Sequence, residues 1–358
     1  MHSDGSPGEA PRRPRLTPPI ADARRAVRAA LAAAAALPVP DAEGDHGPAR
    51  PHPLAPGALV LIGLSGGADS LALAAAAAFE APRAGFRSGA IVVDHGLQPG
   101  SAEVAAGAAC QARALGLGPV LVERVRVEAA GGPEGAARAA RHTAFDSAAR
   151  ATAAARILLA HTLDDQAETV LLGLARGSGP SSLQGMLPDT GRLLRPFLGL
   201  RRATTRAFCA DSGLEPWDDP HNDDPAYTRV RVRSAVLPVL EQELGPGVAE
   251  ALARTAEQLR EDDQALDSLA LEGAQELVSQ ADDGSVALEV RGLAAGPPAL
   301  RQRIIRLVVS AEFGVSLSRS HTLAVAALIA DWHGQGPLSL PGVRVVRQNG
   351  LLTFHPHT

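Results

Sequence analysis

The sequence contains no lysine: all 34 basic side chains are arginine. Codon bias explains that as readily as a demand for bidentate phosphate contacts, so no function follows from it. Cysteine is nearly absent. Cys110 and Cys209 stand far apart with no CxxC pair, which excludes a disulfide framework and a local zinc or iron–sulfur motif and fits a reducing cytoplasm. Long apolar runs are also missing. Arg24 to Pro38 loosely imitates a secretory signal, but its apolar part is almost pure Ala and well short of the roughly 20 residues a bilayer span needs. It reads as a short helix, and no membrane segment is expected. Nor is there an excess of positive charge. A net charge of -5 and a pI near 6.1 argue against indiscriminate nucleic-acid binding but leave room for a local basic patch.

What is present is a chain of 358 residues, 46% hydrophobic and 20% charged, long enough for two domains. Residues 1–20 and 38–56 are rich in Pro and Gly without an apolar period, so 1–56 reads as a flexible extension carrying one short helix. From 58 onward short apolar runs (Ala58 to Leu64, Ala90 to Val93, Val120 to Val127, Ile157 to Ala160) alternate with Ala-rich stretches near 68–79, 101–115 and 134–151. That order predicts an α/β fold, a doubly wound parallel sheet over 57–240, with ligands at the carboxyl ends of its strands. Another helix is expected near 164–175. Helical spacing of Leu252, Ala256, Leu259, Leu266 and Leu269 predicts a linker helix within 241–284. After an Asp282-Asp283-Gly284 turn, helices near 298–312 and 319–331 and an Asn349-Gly350 hairpin make 285–358 a small α+β domain.

The first apolar run leads into Ser65-Gly66-Gly67-Ala68-Asp69-Ser70, and Leu71 onward continues as a helix. Glycines let backbone N–H groups close around phosphate oxygens, and a helix N-terminus adds its unpaired donors. Asp69 would repel a naked phosphate, so its place there suits magnesium arriving with ATP; its bland role is a helix cap. The loop is neither a Walker A motif nor a GxGxxG fingerprint.

Ser-Gly-Gly-x-Asp-Ser after a first strand resembles the loop of the PP-loop ATP pyrophosphatases. Within them the chain is most similar, in ordered blocks from about 58 to 240, to the tRNA(Ile)-lysidine synthetases. The resemblance implies an adenine nucleotide alpha hydrolase-like fold, ATP and Mg2+ as cofactors, and Asp94 and His95, in Val92-Val93-Asp94-His95-Gly96-Leu97, as nucleotide contacts. A capped turn explains Asp94 equally well. Arg138 and Arg141 lie three apart on one predicted helix face and suit phosphate or developing negative charge, as they suit a solvated face. Family members usually carry Tyr where His142 stands.

In His161-Thr162-Leu163-Asp164-Asp165-Gln166-Ala167-Glu168, followed by Arg176-Gly177-Ser178-Gly179, three carboxylates crowd the first turn of a helix. Helix-dipole and capping roles account for some of them. The resemblance implies that Asp164, Asp165 and Glu168 receive the amino groups of L-lysine, with magnesium as an alternative occupant. Arginines 192, 195, 201, 202 and 206, then 229, 231 and 233, form acid-free arrays suited to an RNA backbone; of these Arg195, Arg201, Arg229, Arg231 and Arg233 are the expected substrate contacts. Val230 stands where the family usually has Asn.

The resemblance further implies that the first anticodon cytidine of an isoleucine tRNA reading CAU is adenylated on its C2 oxygen and then attacked by lysine. Lysidine, AMP and pyrophosphate result, and decoding moves from AUG to AUA. Asp69, Arg138, Arg141, Asp165 and Glu168 are the expected catalytic groups, the C-terminal domain is expected to hold the tRNA, and a cytoplasmic homodimer is expected. The competing readings are a PP-loop tRNA thiolase, disfavoured by the sparse cysteines, and a non-catalytic RNA-binding protein.

Overall fold

A computed structural model describes residues 16–37, 52–96, 100–125, 133–177, 180–280 and 284–356. Leu97, Ser178, Gly179 and the first two residues of the Asp-Asp-Gly turn lie outside these, as do parts of the N-terminal extension and of the Val120 to Val127 run. The chain divides into two compact units, with the boundary between Ala256 and Glu257.

The first unit contains α1 (Pro18–Ala35), β1 (Leu59–Gly63), α2 (Ala68–Arg83), β2 (Arg87–Asp94), α3 (Ser101–Ala114), β3 (Val120–Arg124), α4 (Pro133–Thr152), β4 (Arg156–Leu158), α5 (Leu163–Ala175), α6 (Pro180–Leu183), β5 (Leu193–Leu194), α7 (Arg202–Asp211), α8 (Thr228–Arg231) and α9 (Leu237–Leu244). A π-helical turn, Val232–Val236, joins α8 to α9. The five strands form one parallel sheet in the order β3-β2-β1-β4-β5. The chain winds outward from β1 through β2 to β3, then returns to the other side of β1 for β4 and β5. The crevice at the carboxyl ends of β1 and β4 is therefore the topological switch point.

Register explains why separate motifs meet there. Ile62 pairs with Leu158, so Ser65 and His161 lie equally far beyond adjacent parallel strands. Gly63 pairs with Ile91, which brings Asp94 and His95 to the same edge. Leu158 pairs with Leu194, which places Arg195 beside them. β5 is too short to show a strand pattern in the sequence.

The N-terminal helix departs from expectation. It runs 18 residues, and Ile20, Ala23, Val27, Leu31 and Ala34, at helical spacing, are buried in the core shared with β1 and α2. It is therefore an integral layer of the first unit. Buried Glu80 on α2 receives Arg28 through both carboxylate oxygens, at 2.8 and 3.0 Å, while the Arg24 and Arg83 guanidiniums each stack on Phe79.

α10 (Val248–Leu277) contains the boundary between units. The second unit continues with β6 (Val278–Gln280), β7 (Val286–Glu289), α11 (Val290–Ala295), α12 (Pro298–Phe313), α13 (Arg319–Ala330), β8 (Leu338–Leu340), β9 (Val343–Gln348) and β10 (Leu351–Pro356). Its antiparallel sheet has the order β6-β7-β10-β9-β8. The expected linker segment thus ends in a strand of this sheet, because Val278 to Gln280 pairs with Val286 to Leu288. The Asn349-Gly350 turn joins β9 and β10, with both residues at positive φ.

Candidate functional site

The loop after β1 is shaped by its own hydroxyls. Ser70 Oγ donates to Gly67 O at 2.9 Å, accepts from the Ser65 N–H at 3.2 Å, and lies 3.1 Å from Ser65 Oγ. Gly66 has φ +87, a left-handed conformation that favours glycine, and its carbonyl accepts from the Trp217 N–H. Gly67 caps α2 without a side-chain bond, so the amides opening that helix stay available to an anion. This cradle fits the phosphates of a nucleotide.

Asp69, in the first turn of α2, is held from α7. Its Oδ1 accepts from Thr205 Oγ1 and its Oδ2 faces Arg202 Nε at 3.4 Å. Burial raises its pKa, opposed by Thr205 and Arg202 and reinforced by the nearby Asp165. Among the described residues no group of three metal-ligating side chains occurs. A lone half-buried carboxylate beside a phosphate cradle still fits Mg2+, which takes one or two carboxylates together with phosphate oxygens and water.

The three carboxylates after β4 divide their work. Thr162 and Asp165 form a reciprocal capping box on α5, with the Thr162 N–H on Asp165 Oδ2 at 2.7 Å, so the capping role is real. The other oxygen, Oδ1, receives Arg202 Nη2 at 2.6 Å. Asp164 turns toward α7: its Oδ2 accepts the Arg202 backbone N–H at 2.7 Å and its Oδ1 faces Arg201 at 3.2 Å. Glu168 is fully buried and is gripped by Arg233, with Nε at 2.8 Å and Nη2 at 3.3 Å, and by Arg202 Nη1 at 3.5 Å. Burial disfavours the Arg202 cation, but Asp165, Glu168, Asp69 and Asp164 together raise its pKa. Beside the cluster a half-open cleft of about 130 Å³ is lined by Asp164, Glu168, Arg202, Glu241, Leu237 and Pro238, among others.

The expected arginine arrays separate. Thr228 to Arg231 is helical and runs into the π-helical turn, so Arg229 and Arg233, four apart, face α5, where Arg229 donates to Thr169 Oγ1 at 3.0 Å. Arg231 instead donates to the Pro225 and Ala226 carbonyls of its own loop. Arg201 pairs with Asp164 and Glu250, and Arg192 with Asp146. The arrays are not one continuous track.

A second, positive cluster forms from Arg138 and Arg141 on α4, Arg195 after β5 and Arg229. Among the described residues none of these four has a carboxylate within 4 Å, and Arg195 Nε, His95 Nδ1 and His161 Nδ1 are buried without a hydrogen-bond partner. Burial and Arg138 lower the Arg195 pKa to about 10, against Asp189. Burial lowers His95 and His142 as well, with Arg141 adding to both. Such a surplus of guanidiniums without a carboxylate partner among the described residues suits a polyanion.

His161 carries a pH prediction. Burial depresses it from 6.5 to about 4, with Arg195, Arg141 and Arg229 adding and Asp165 opposing. Between these values the unfolded chain binds the extra proton, so this stabilisation is complete above pH 6.5 and lost as pH falls toward about 4. Thermal melts across that window should show His161→Gln losing less stability on acidification than the wild type; parallel curves contradict the assignment.

A profile described as a PP-loop domain matches residues 51–240, and one described as a TilS substrate binding domain matches 288–353. The chain is 49% identical to the tRNA(Ile)-lysidine synthase of Thermobifida fusca over 93% of its own length and 96% of that protein. It is 52% identical to the one from Streptomyces coelicolor, over 83% of this chain and 84% of that one. The chain belongs to the tRNA(Ile)-lysidine synthase family. The solved U34-tRNA thiolase NcsA from Methanococcus maripaludis, with its 4Fe-4S cluster, is similar at TM-score 0.51 and 18% identity, covering 68% of this chain and 80% of that one. That likeness is one of fold. Cys209 is buried and pushed up to about 11 by burial and by Asp69, and Cys110 is exposed on α3.

For a lysidine synthase-family chain, two residues escaped the sequence reading. Arg202 was legible as one of several arginines, but nothing in the sequence singled it out from Arg201. Thr205 is fully buried and holds Asp69 across 136 positions, a partnership only the packing of α2 on α7 reveals. Val230 is buried, and His142 stands edge-on to Phe145.

Proposed function

We propose that the chain uses ATP to activate the C2 oxygen of the first anticodon cytidine of isoleucine tRNA(CAU) and then ligates L-lysine to C2, giving lysidine, AMP and pyrophosphate. The observation that carries this reading is the joining, at one switch point, of an amide-lined loop and a buried carboxylate cluster.

In the first half-reaction the cytidine oxygen attacks the α-phosphorus of ATP and pyrophosphate leaves. The loop from Ser65 to Ser70 holds the departing phosphates, with Asp94 and His95 at the nucleotide end. Mg2+, held by Asp69, supplies charge neutralisation on the phosphates when bound. Arg138 and Arg141 offset the negative charge that develops. In the second, the lysine ε-amine attacks C2, the C2–O bond breaks, and AMP leaves with the oxygen. The amine gives up a proton on attack, and the cluster of Asp164, Asp165 and Glu168 receives the cation beforehand. In the cleft, Leu237 and Pro238 suit an aliphatic stem and Glu168 and Glu241 suit its charge, with Arg201, Arg202 and Arg233 lining the same cleft.

Arg195 and Arg229, with Arg138 and Arg141, have no carboxylate within 4 Å among the described residues and are best placed for the RNA backbone. Arg201, Arg231 and Arg233 are engaged with protein groups. The antiparallel unit holds the tRNA body, a role supported by the substrate-binding profile over 288–353. An anticodon loop exposes its bases, so no duplex has to open before the cytosine enters.

The test is incorporation of labelled lysine into an unmodified CAU transcript, with ATP and magnesium, beside the same transcript bearing U in place of that C. Label in the first alone is expected. Label in both, or in neither, contradicts the reading.

A further inference from the structure

One guanidinium binds the two halves of the site together. Arg202 presents Nε to Asp69 of α2 at 3.4 Å, Nη2 to Asp165 of α5 at 2.6 Å and Nη1 to Glu168 at 3.5 Å. With these contacts in place, all six carboxylate oxygens of Asp69, Asp165 and Glu168 are taken. Thr205 and Arg202 occupy Asp69; Thr162, Arg202 and Arg233 occupy Asp165; Arg233 and Arg202 occupy Glu168. An incoming ammonium, with three donors and no acceptor, must therefore share every oxygen of the cluster with a donor already in place, most often the Arg202 or Arg233 guanidinium.

We propose that Arg202 is an internal stand-in for the substrate amine: it occupies the carboxylate cluster, and binding of lysine requires it to leave. This rests on the reading that Asp165 and Glu168 receive the lysine amine. Arg202 is the exchangeable cation because of how it is held. Arg233 grips Glu168 as a fork with both oxygens engaged, the geometry that orients a carboxylate. Arg202 makes three single contacts to three different acids, two of them long. Its backbone N–H is fixed on Asp164, so the side chain can swing while the first turn of α7 stays in place.

Departure of Arg202 frees the shorter approach to Asp165 Oδ1, which Arg233 Nη2 still faces at 3.5 Å, and one approach to Glu168 Oε1, and it uncovers Asp69 Oδ2 in the same movement. The amine site and the metal-bearing phosphate site are thereby linked. A nucleotide carrying Mg2+ repels the guanidinium from Asp69 and lowers its hold on the other two acids, so each ligand favours the other. By linkage the effect is reciprocal.

The test is calorimetric titration of L-lysine into the full chain, alone and with magnesium and α,β-methylene ATP, which cannot release pyrophosphate. Without nucleotide, Arg202→Met is expected to bind lysine at least about fivefold more tightly than the wild type, a modest coupling by the usual scale. Arg202→Lys keeps an internal ammonium and is expected to stay near the wild type. The nucleotide should tighten lysine on the wild type by a similar factor and leave Arg202→Met unchanged. Loss of packing weakens binding and cannot tighten it, so equal or weaker binding by a folded Arg202→Met overturns the proposal. Should that variant fail to fold, a wild-type lysine affinity that ignores the nucleotide overturns it equally. The underlying lysine-site reading fails separately: it is contradicted if Glu168→Gln binds lysine as the wild type does.

Discussion

Asp69→Ala is expected to reduce tRNA-dependent pyrophosphate release by on the order of 10³-fold, the scale for losing one group that stabilises transition-state charge. Asp69 is the one acid in the loop after β1, and the cradle beside it offers only backbone amides and serine hydroxyls. On the proposed reading, Asp69 is the group that holds Mg2+ where charge on the phosphates peaks, and removing the carboxylate removes that hold. Asp69→Ala also releases Arg202 and Thr205, so Asp69→Asn is the sharper comparison, since its amide oxygen can still accept from Thr205. Both variants should lose the first half-reaction while keeping a wild-type melting curve to within the few degrees expected of a partly exposed site. Retention of pyrophosphate release by Asp69→Asn would falsify the metal role.

Glu168 should behave oppositely. Glu168→Gln keeps the shape of a fully buried side chain but withdraws the charge that Arg233 and Arg202 share, and its expected effect is a rise in KM for lysine of about 10- to 100-fold. Adenylation of the tRNA in the absence of lysine should persist at close to the wild-type rate. The truncation Glu168→Ala is the wrong tool. It leaves two guanidiniums without their buried partner and is expected to cost about 3–5 kcal/mol of stability, read as a lower midpoint in urea. A Glu168→Gln variant that loses both half-reactions equally contradicts the division of labour between the loop after β1 and the turn after β4.

The sequence made the fold and the two motifs readable because both rest on local signals. Apolar runs of strand length, Ala-rich crossovers and the two glycines of the loop are written in consecutive residues. Short elements were not legible: β5 has two residues, and β6 continues straight from α10 with no turn residue between them. The N-terminal helix was visible, but its burial was not, because an Ala-rich face looks the same whether it meets solvent or α2. The arginines show the limit most clearly. Alternation of 229, 231 and 233 suggested a single array, whereas the helical turn sends Arg233 to Glu168 and Arg231 to its own loop. Their targets are fixed by tertiary packing, as are Arg202 and Thr205 on Asp69.

The central claim is that one crevice first makes an adenylated tRNA and then hands it to lysine. Its most direct measurement uses ATP labelled at the α-phosphate, the CAU transcript and magnesium, first without lysine. Label is expected to appear on the tRNA and to leave as AMP when lysine is added. Release of labelled AMP at full rate with no label ever on the tRNA would contradict the account.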